Sequence, residues 1–120
     1  MDEKDREKIE KIIKDRKTAH QALLEKKSEA YKAFLDLEKK TFSSGELAKK
    51  HKELIALGIS IVINCESCME WHIREALEAG ASEREILETI EVGIEMGGGP
   101  ATVSSRFALK ALEYYCEEKA

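Results

Sequence analysis

The sequence predicts an all-α protein of about six helices, and three observations lead there. Apolar residues recur at intervals of three and four through most of the chain. The only proline is Pro100, and the hairpin dipeptides Asn-Gly and Asp-Gly are absent. Cap residues and glycines stand where the periodic runs begin and end. No internal repeat or low-complexity linker divides the 120 residues. That length suits one domain, so residues 1–120 read as a single domain with residues 1–17 as a charged N-terminal helix or extension.

Each element has its own grounds. Asp2 to Lys17 is mostly charged, with Ile9, Ile12 and Ile13 as a thin apolar stripe; it reads as a solvated helix that frays at its start. From Thr18 to Lys40, residues Leu23, Leu24, Tyr31, Phe34 and Leu35 predict one long amphipathic helix. "TFSSGE" breaks it, and Ser43 or Ser44 suits the cap of a helix from about Glu46 to Ile63. The second half of that helix, "LIALGISIVI", is apolar nearly all round and should be buried at the centre. The β-branched "ISIVI" could be a strand, but no other segment offers it a partner. Asn64 is expected to cap a helix from Cys65 to about Ala79, with Gly80 just past its end. "SERE" at Ser82 to Glu85 is a capping box opening a helix with Ile86, Leu87, Ile90 and Ile94. "GGGP" at 97–100 stops it. A last helix carries Val103, Phe107, Leu112 and Tyr115.

Composition removes several function classes. Charged residues make up 37% of the chain, yet Lys and Glu are interspersed and the net charge is −4. A nucleic-acid surface would want a basic face instead. No apolar run approaches the roughly 20 residues of a membrane span. The acidic start "MDEKDREK" is no signal peptide, so a cytoplasmic location is expected. In a reducing cytosol, paired cysteines are more often catalytic or metal-binding than structural. One Gln and one Asn beside abundant Lys and Glu is the composition of proteins from very hot organisms. There, intracellular cystines are less rare, which keeps a structural disulfide open.

Chemistry concentrates in "NCESCMEWH", Asn64 to His72. Cys65 and Cys68 are spaced i, i+3, and Cys68 and His72 i, i+4, so a helix aligns all three on one stripe. A helix N-terminus favours thiolate over thiol, and thiolate is the nucleophile in disulfide exchange and peroxide reduction. His72 can take the proton of Cys68 from one turn away. If two antiparallel helices meet at Asn64, Glu53 comes to the height of His72. Glu53 sits on an otherwise apolar stripe, where a carboxylate needs a partner. Duller readings compete. Cys65, Cys68, His72 and Glu53 could ligate zinc, although three ligands on one helix are crowded and no second pair follows. The two cysteines could simply pack in the core. Trp71 and Met69 suit core or interface, His20 and His51 solvent, and Cys116 a bystander. The three glycines 97–99 suit a helix stop better than a phosphate cradle.

Glu53, "NCESCMEWH" and "EALEAGASEREILETIEVGIEMGGGPA" together resemble the carboxymuconolactone decarboxylase / alkylhydroperoxidase D-like family, over roughly Ser28 to Leu112. The family motif is a Glu, a C-x-x-C twelve residues later, and a His four after the second Cys; Glu53, Cys65, Cys68 and His72 match it. The resemblance implies an alkylhydroperoxidase D-like helical bundle assembled as a trimer or hexamer. It implies hydroperoxide reduction by the dithiol, using electrons from an external dithiol; no cofactor or metal is expected. Within the antioxidant branch the second cysteine attacks peroxide and the first resolves it, which would make Cys68 peroxidatic and Cys65 resolving. That branch often carries a histidine just before the second cysteine, where this chain has Ser67, so one relay group is missing. The alternatives are a decarboxylase-like enzyme using His72 and Glu53 as acid and base, and a non-enzymatic oligomeric zinc protein.

Overall fold

The computed structural model describes residues 1–118, which form six α-helices: α1 Glu3–Glu25, α2 Glu29–Thr41, α3 Lys49–Val62, α4 Glu66–Glu78, α5 Glu83–Gly97 and α6 Gly99–Glu118. The all-α expectation is met, and of "ISIVI" the residues Ile59 to Val62 lie in α3 with Ile63 as its C-cap. Helix α3 packs on α4 and α5, and α6 closes against all three. Leu57 and Ile61 of α3, Met69 and Ile73 of α4, Ile86 and Ile90 of α5 and Phe107 and Ala108 of α6 fill the space between them. At the α3–α5 crossing a Cβ on Gly93 would stand 3.2 Å from Ile61. A glycine lets these backbones approach closely.

The N-terminal helix departs from its expectation. It does not stand in solvent: Ile9 is 1% exposed, and Ile12 and Ile13 pack against the core. Nor does its start hang loose. Asp2 caps it by accepting from the amide of Lys4 at 2.7 Å, and the terminal ammonium pairs with Glu117 at 3.1 Å. Its helix also runs further than expected, then stops where one long helix was predicted. Lys27 takes a left-handed φ of 57°, the amides of Lys27 and Ser28 bond back to the carbonyls of Leu24 and Leu23, and Ser28 caps α2. Apolar periodicity runs through this corner because both helices carry it; nothing in the period marks the break. Helix α2 buries none of its residues in this chain.

Helix α3 begins at Lys49 rather than near Glu46, with Ala48 at the cap position. Ser44 still contributes, since its hydroxyl accepts from the amide of Lys49 at 3.0 Å. Only one face of α3 is buried within one chain: Leu57 and Ile61 face the core while Ile55, Ile59 and Val62, and Ile63 at its C-cap, are exposed. The capping box of α5 forms as expected, with Ser82 and Glu85 each accepting from the other's amide. Gly98, at φ 70°, separates α5 from α6, and Pro100 falls in the first turn of α6.

Candidate functional site

The site grows from the corner between α3 and α4. Asn64 is not the cap of α4. It takes φ 55° and ends α3, its amide bonding the carbonyl of Ile61 while the Cys65 amide bonds that of Ser60. This is the paired bonding that closes a helix on a left-handed residue, a conformation asparagine tolerates. Cys65 is therefore the last residue of one helix ending and the cap of the next. Its sulfur accepts from the amide of Cys68 at 3.2 Å.

Cys65 and Cys68 form a disulfide, with Cα atoms 5.2 Å apart, inside the span cystines bridge without moving backbone. Both are partly exposed. His72 follows Cys68 by one turn, and its Nδ1 lies 2.7 Å from Oε1 of Glu53. A carboxylate only accepts, so Nδ1 carries the proton and Nε2 is left as the basic nitrogen. Glu53 is 2% exposed. Its other oxygen accepts from Lys49 Nζ at 2.8 Å, and Lys49 also reaches Glu75 at 3.2 Å. Burial opposes the charge on Lys49, but the hydrogen bonds and charges of Glu53 and Glu75 outweigh it and raise its pKa. Phe42, at the end of α2, stacks on the His72 ring with centroids 5.3 Å apart. A hollow of about 280 Å³ borders Glu53, lined among others by Phe42, Lys49, Trp71 and Glu75.

The structure thus brings Glu53 and His72 together, and joins Cys65 to Cys68. It puts His51 in solvent as expected, but His20 is partly buried, with Nδ1 2.6 Å from the Tyr31 hydroxyl. Cys116 lies on α6, outside the disulfide. Among the described residues, no group of three or more His, Cys, Asp or Glu is placed to hold a metal ion. Several neighbours escaped the sequence reading. Lys49 was findable, standing one turn before Glu53. Phe42 had no local sign. Glu70, on the inner face of α4, is fully buried. It accepts a hydrogen bond from the Tyr115 hydroxyl, and Arg16 Nη2 approaches its Oε1 at 2.5 Å as an ion pair rather than along an aligned hydrogen bond. Burial, then the hydrogen bond to Glu70, pushes the Tyr115 pKa well above its usual value.

Comparison with known proteins gives the same picture from outside. The sequence model of the Carboxymuconolactone decarboxylase family matches residues 28–111. An uncharacterised protein of the cox locus of Paracoccus denitrificans is 40% identical over 81 residues, 68% of this chain and 73% of that protein. An uncharacterised protein of Cupriavidus necator is 35% identical over 86 residues, 72% of this chain and 74% of its own. Among solved structures, a family protein of Legionella pneumophila superposes with a TM-score of 0.85 at 31% identity, over 90% of this chain and 96% of that one. A family protein of Thermotoga maritima, described as a candidate for an antioxidative response, superposes at 0.83 with 28% identity, over 91% and 92%.

Proposed function

The chain belongs to the carboxymuconolactone decarboxylase family, and from that premise we propose that it is a thiol-dependent peroxidase and disulfide oxidoreductase working through Cys65 and Cys68. One observation carries this reading: a C-x-x-C disulfide one turn from a histidine that is oriented by a buried glutamate. Glu53 holds the Nδ1 proton, so Nε2 of His72 is available to accept the proton of Cys68. The Cys68 thiolate attacks one oxygen of a hydroperoxide. The O–O bond breaks, Cys68 becomes a sulfenic acid, and the alcohol leaves with the proton returned from His72. The Cys65 thiol then displaces water from that sulfenic acid and the disulfide forms. An external dithiol reduces it by two exchange steps and leaves as its own disulfide.

The surroundings suit this chemistry. Around the hollow beside Glu53, which neither cysteine lines, Glu38, Glu53 and Glu75 stand against Lys39 and Lys49; such surroundings disfavour an anion more than a neutral hydroperoxide. The Thermotoga relative's description as a candidate for an antioxidative response supports the same class. Mass spectrometry of free thiols before and after one equivalent of hydroperoxide tests the reading. Cys65 and Cys68 should be consumed together. Loss of Cys116 with both of them still free would overturn it.

We also propose that the chain works as a homo-oligomer, a trimer or hexamer. Ile55, Ile59 and Val62 of α3 and Val92 and Met96 of α5 line an apolar groove of about 510 Å³ open to solvent. Ile55, Ile59, Val62, Val92 and Met96 are all exposed large apolar side chains, and when such side chains cluster they mark interaction sites. Light scattering should return a multiple of 13.5 kDa; a monomer at micromolar concentration would refute it.

A further inference from the structure

Residues 1–27 precede the family match, yet α1 reaches the turn that bears the cysteines. Nη2 of Arg16 donates to the carbonyl of Ser67 and lies equally close to its hydroxyl, both at 3.0 Å. Ser67 is the residue directly before Cys68. The guanidinium is itself fixed from two sides, by the buried Glu70 carboxylate and by the face of Trp71, 5.2 Å from the ring centroid. Glu70 is fixed in turn by Tyr115 of α6. Nearer the start of α1, Lys8 pairs with Glu66 at 3.1 Å, a more exposed contact. Burial of Ile9 anchors the whole helix.

We propose that Arg16 is the positioning residue of the dithiol: by clamping Ser67 it holds the Cys65–Cys68 turn in the shape the disulfide needs, whether the sulfurs are joined or not. The first turn of a helix lacks intrahelical partners for its amides and frays readily. A frayed turn must be ordered each time the disulfide closes, and that ordering weighs against closure. Arg16 touches neither sulfur, so its hold does not depend on their redox state. With the turn already ordered, Cys65 meets Cys68 at a high effective concentration. The inference rests on the reading of Cys65 and Cys68 as a redox couple, but not on hydroperoxide being the oxidant.

The test is the equilibrium of that couple in graded ratios of reduced to oxidised dithiothreitol, read by thiol alkylation and mass spectrometry. Closing the disulfide turns the two protein thiols into one S–S bond while one molecule of oxidised dithiothreitol becomes the dithiol. Arg16→Gln should weaken closure about tenfold, a rise of about 30 mV in the couple's potential. Arg16→Gln alone leaves Glu70 with a buried charge and could unfold the chain, so Arg16→Gln/Glu70→Gln is measured beside it. The double variant removes the charge pair together, keeps an acceptor for Tyr115, and still lacks the clamp; it should show the same tenfold loss. Lys8→Ala, which removes the exposed pair with Glu66 and a cation–π contact with Phe107 but leaves Ser67 untouched, should stay within twofold of the original protein. A wild-type equilibrium in the double variant would overturn the proposal, as would an equal shift in Lys8→Ala. Since no hydroperoxide enters the measurement, failure of the peroxidase reading and failure of the clamp give different results.

Discussion

The corner at Lys27 and Ser28 and the corner at Asn64 and Cys65 turn the chain in the same way. Each has a left-handed residue, with φ 57° and 55°. In each, the next amide bonds back to a helix carbonyl, Ser28 to Leu23 at 3.2 Å and Cys65 to Ser60 at 3.0 Å. In each, that same residue caps the following helix, Ser28 by its oxygen from Tyr31 and Cys65 by its sulfur from Cys68. The outcomes differ. Helix α2 leaves its corner with no buried residue, whereas α4 buries Met69, Glu70, Ile73 and Ala76. A corner is made by local hydrogen bonds. The second corner differs in that its capping atom is a sulfur and its neighbours are held from outside, Ser67 by Arg16 and His72 by Glu53.

The sharpest way to break this comparison is to make the second corner chemically like the first. Cys65→Ser keeps a good cap but removes the sulfur proposed to resolve the sulfenic acid. Turnover with hydroperoxide and an external dithiol should fall to background while a sulfenic acid accumulates on Cys68, trapped and counted by dimedone labelling. Undiminished turnover would show that Cys65 is only a cap.

Next in size is the support from outside the corner. Glu53→Gln and His72→Ala should each slow oxidation of Cys68 by about 10²–10⁴-fold, the usual range of general-base help. The double variant should be little slower than the slower single one, because residues acting as a unit are not additive. Stopped-flow rates on proteins whose folding is confirmed by circular dichroism decide it. Losses that multiply would mean the two act independently.

A smaller effect concerns the corners themselves. Asn64→Val puts a β-branched residue at φ 55° and should destabilise the fold by about 1–2 kcal/mol, while Asn64→Gly should be tolerated. Lys27→Gly should be neutral or stabilise by up to about 1 kcal/mol, by the same steric rule. Urea denaturation of the three variants gives both signs in one series.

The smallest concerns pH. The Tyr115 pKa is raised by burial and by Glu70, so the folded chain keeps that proton where the unfolded chain releases it. Its contribution is whole below a pH of about 10, the ordinary tyrosine value, and drains away as pH rises beyond it. Lys49, also raised, adds loss of the same sign in the same alkaline range. Tyr115→Phe should therefore lose less stability than the original protein between about pH 10 and 11. Identical slopes in denaturation series across that range would contradict it.

How much of this was readable in advance depends on distance along the chain. Six helices, the Ser82–Glu85 box and the alignment of Cys65, Cys68 and His72 follow from spacings of three and four, which a helix converts directly into contact. The Glu53–His72 pair spans nineteen residues. It was still readable because a tight turn joins two helices and similar path lengths on either side of it bring the two residues to similar heights. The break at Lys27 was not, since lysine carries no left-handed preference and the apolar period continues across it. Asn64 misled because asparagine serves equally well before a helix and after one. Its role was settled by the amide of Cys65 bonding to Ser60.

The sequence by itself determined the helices, most of their ends and the alignment of Cys65, Cys68 and His72, because each depends on residues within a turn or two of one another. Only the tertiary structure decided that Phe42 stacks on His72, that Arg16 reaches Ser67 across 51 residues, and that Glu70 is sealed by Tyr115 across 45. Many lysines, arginines and carboxylates in this chain could have paired. Packing of α1 and α6 against α4 selected these few, since a buried charge must be met by whatever side chain the fold brings within reach.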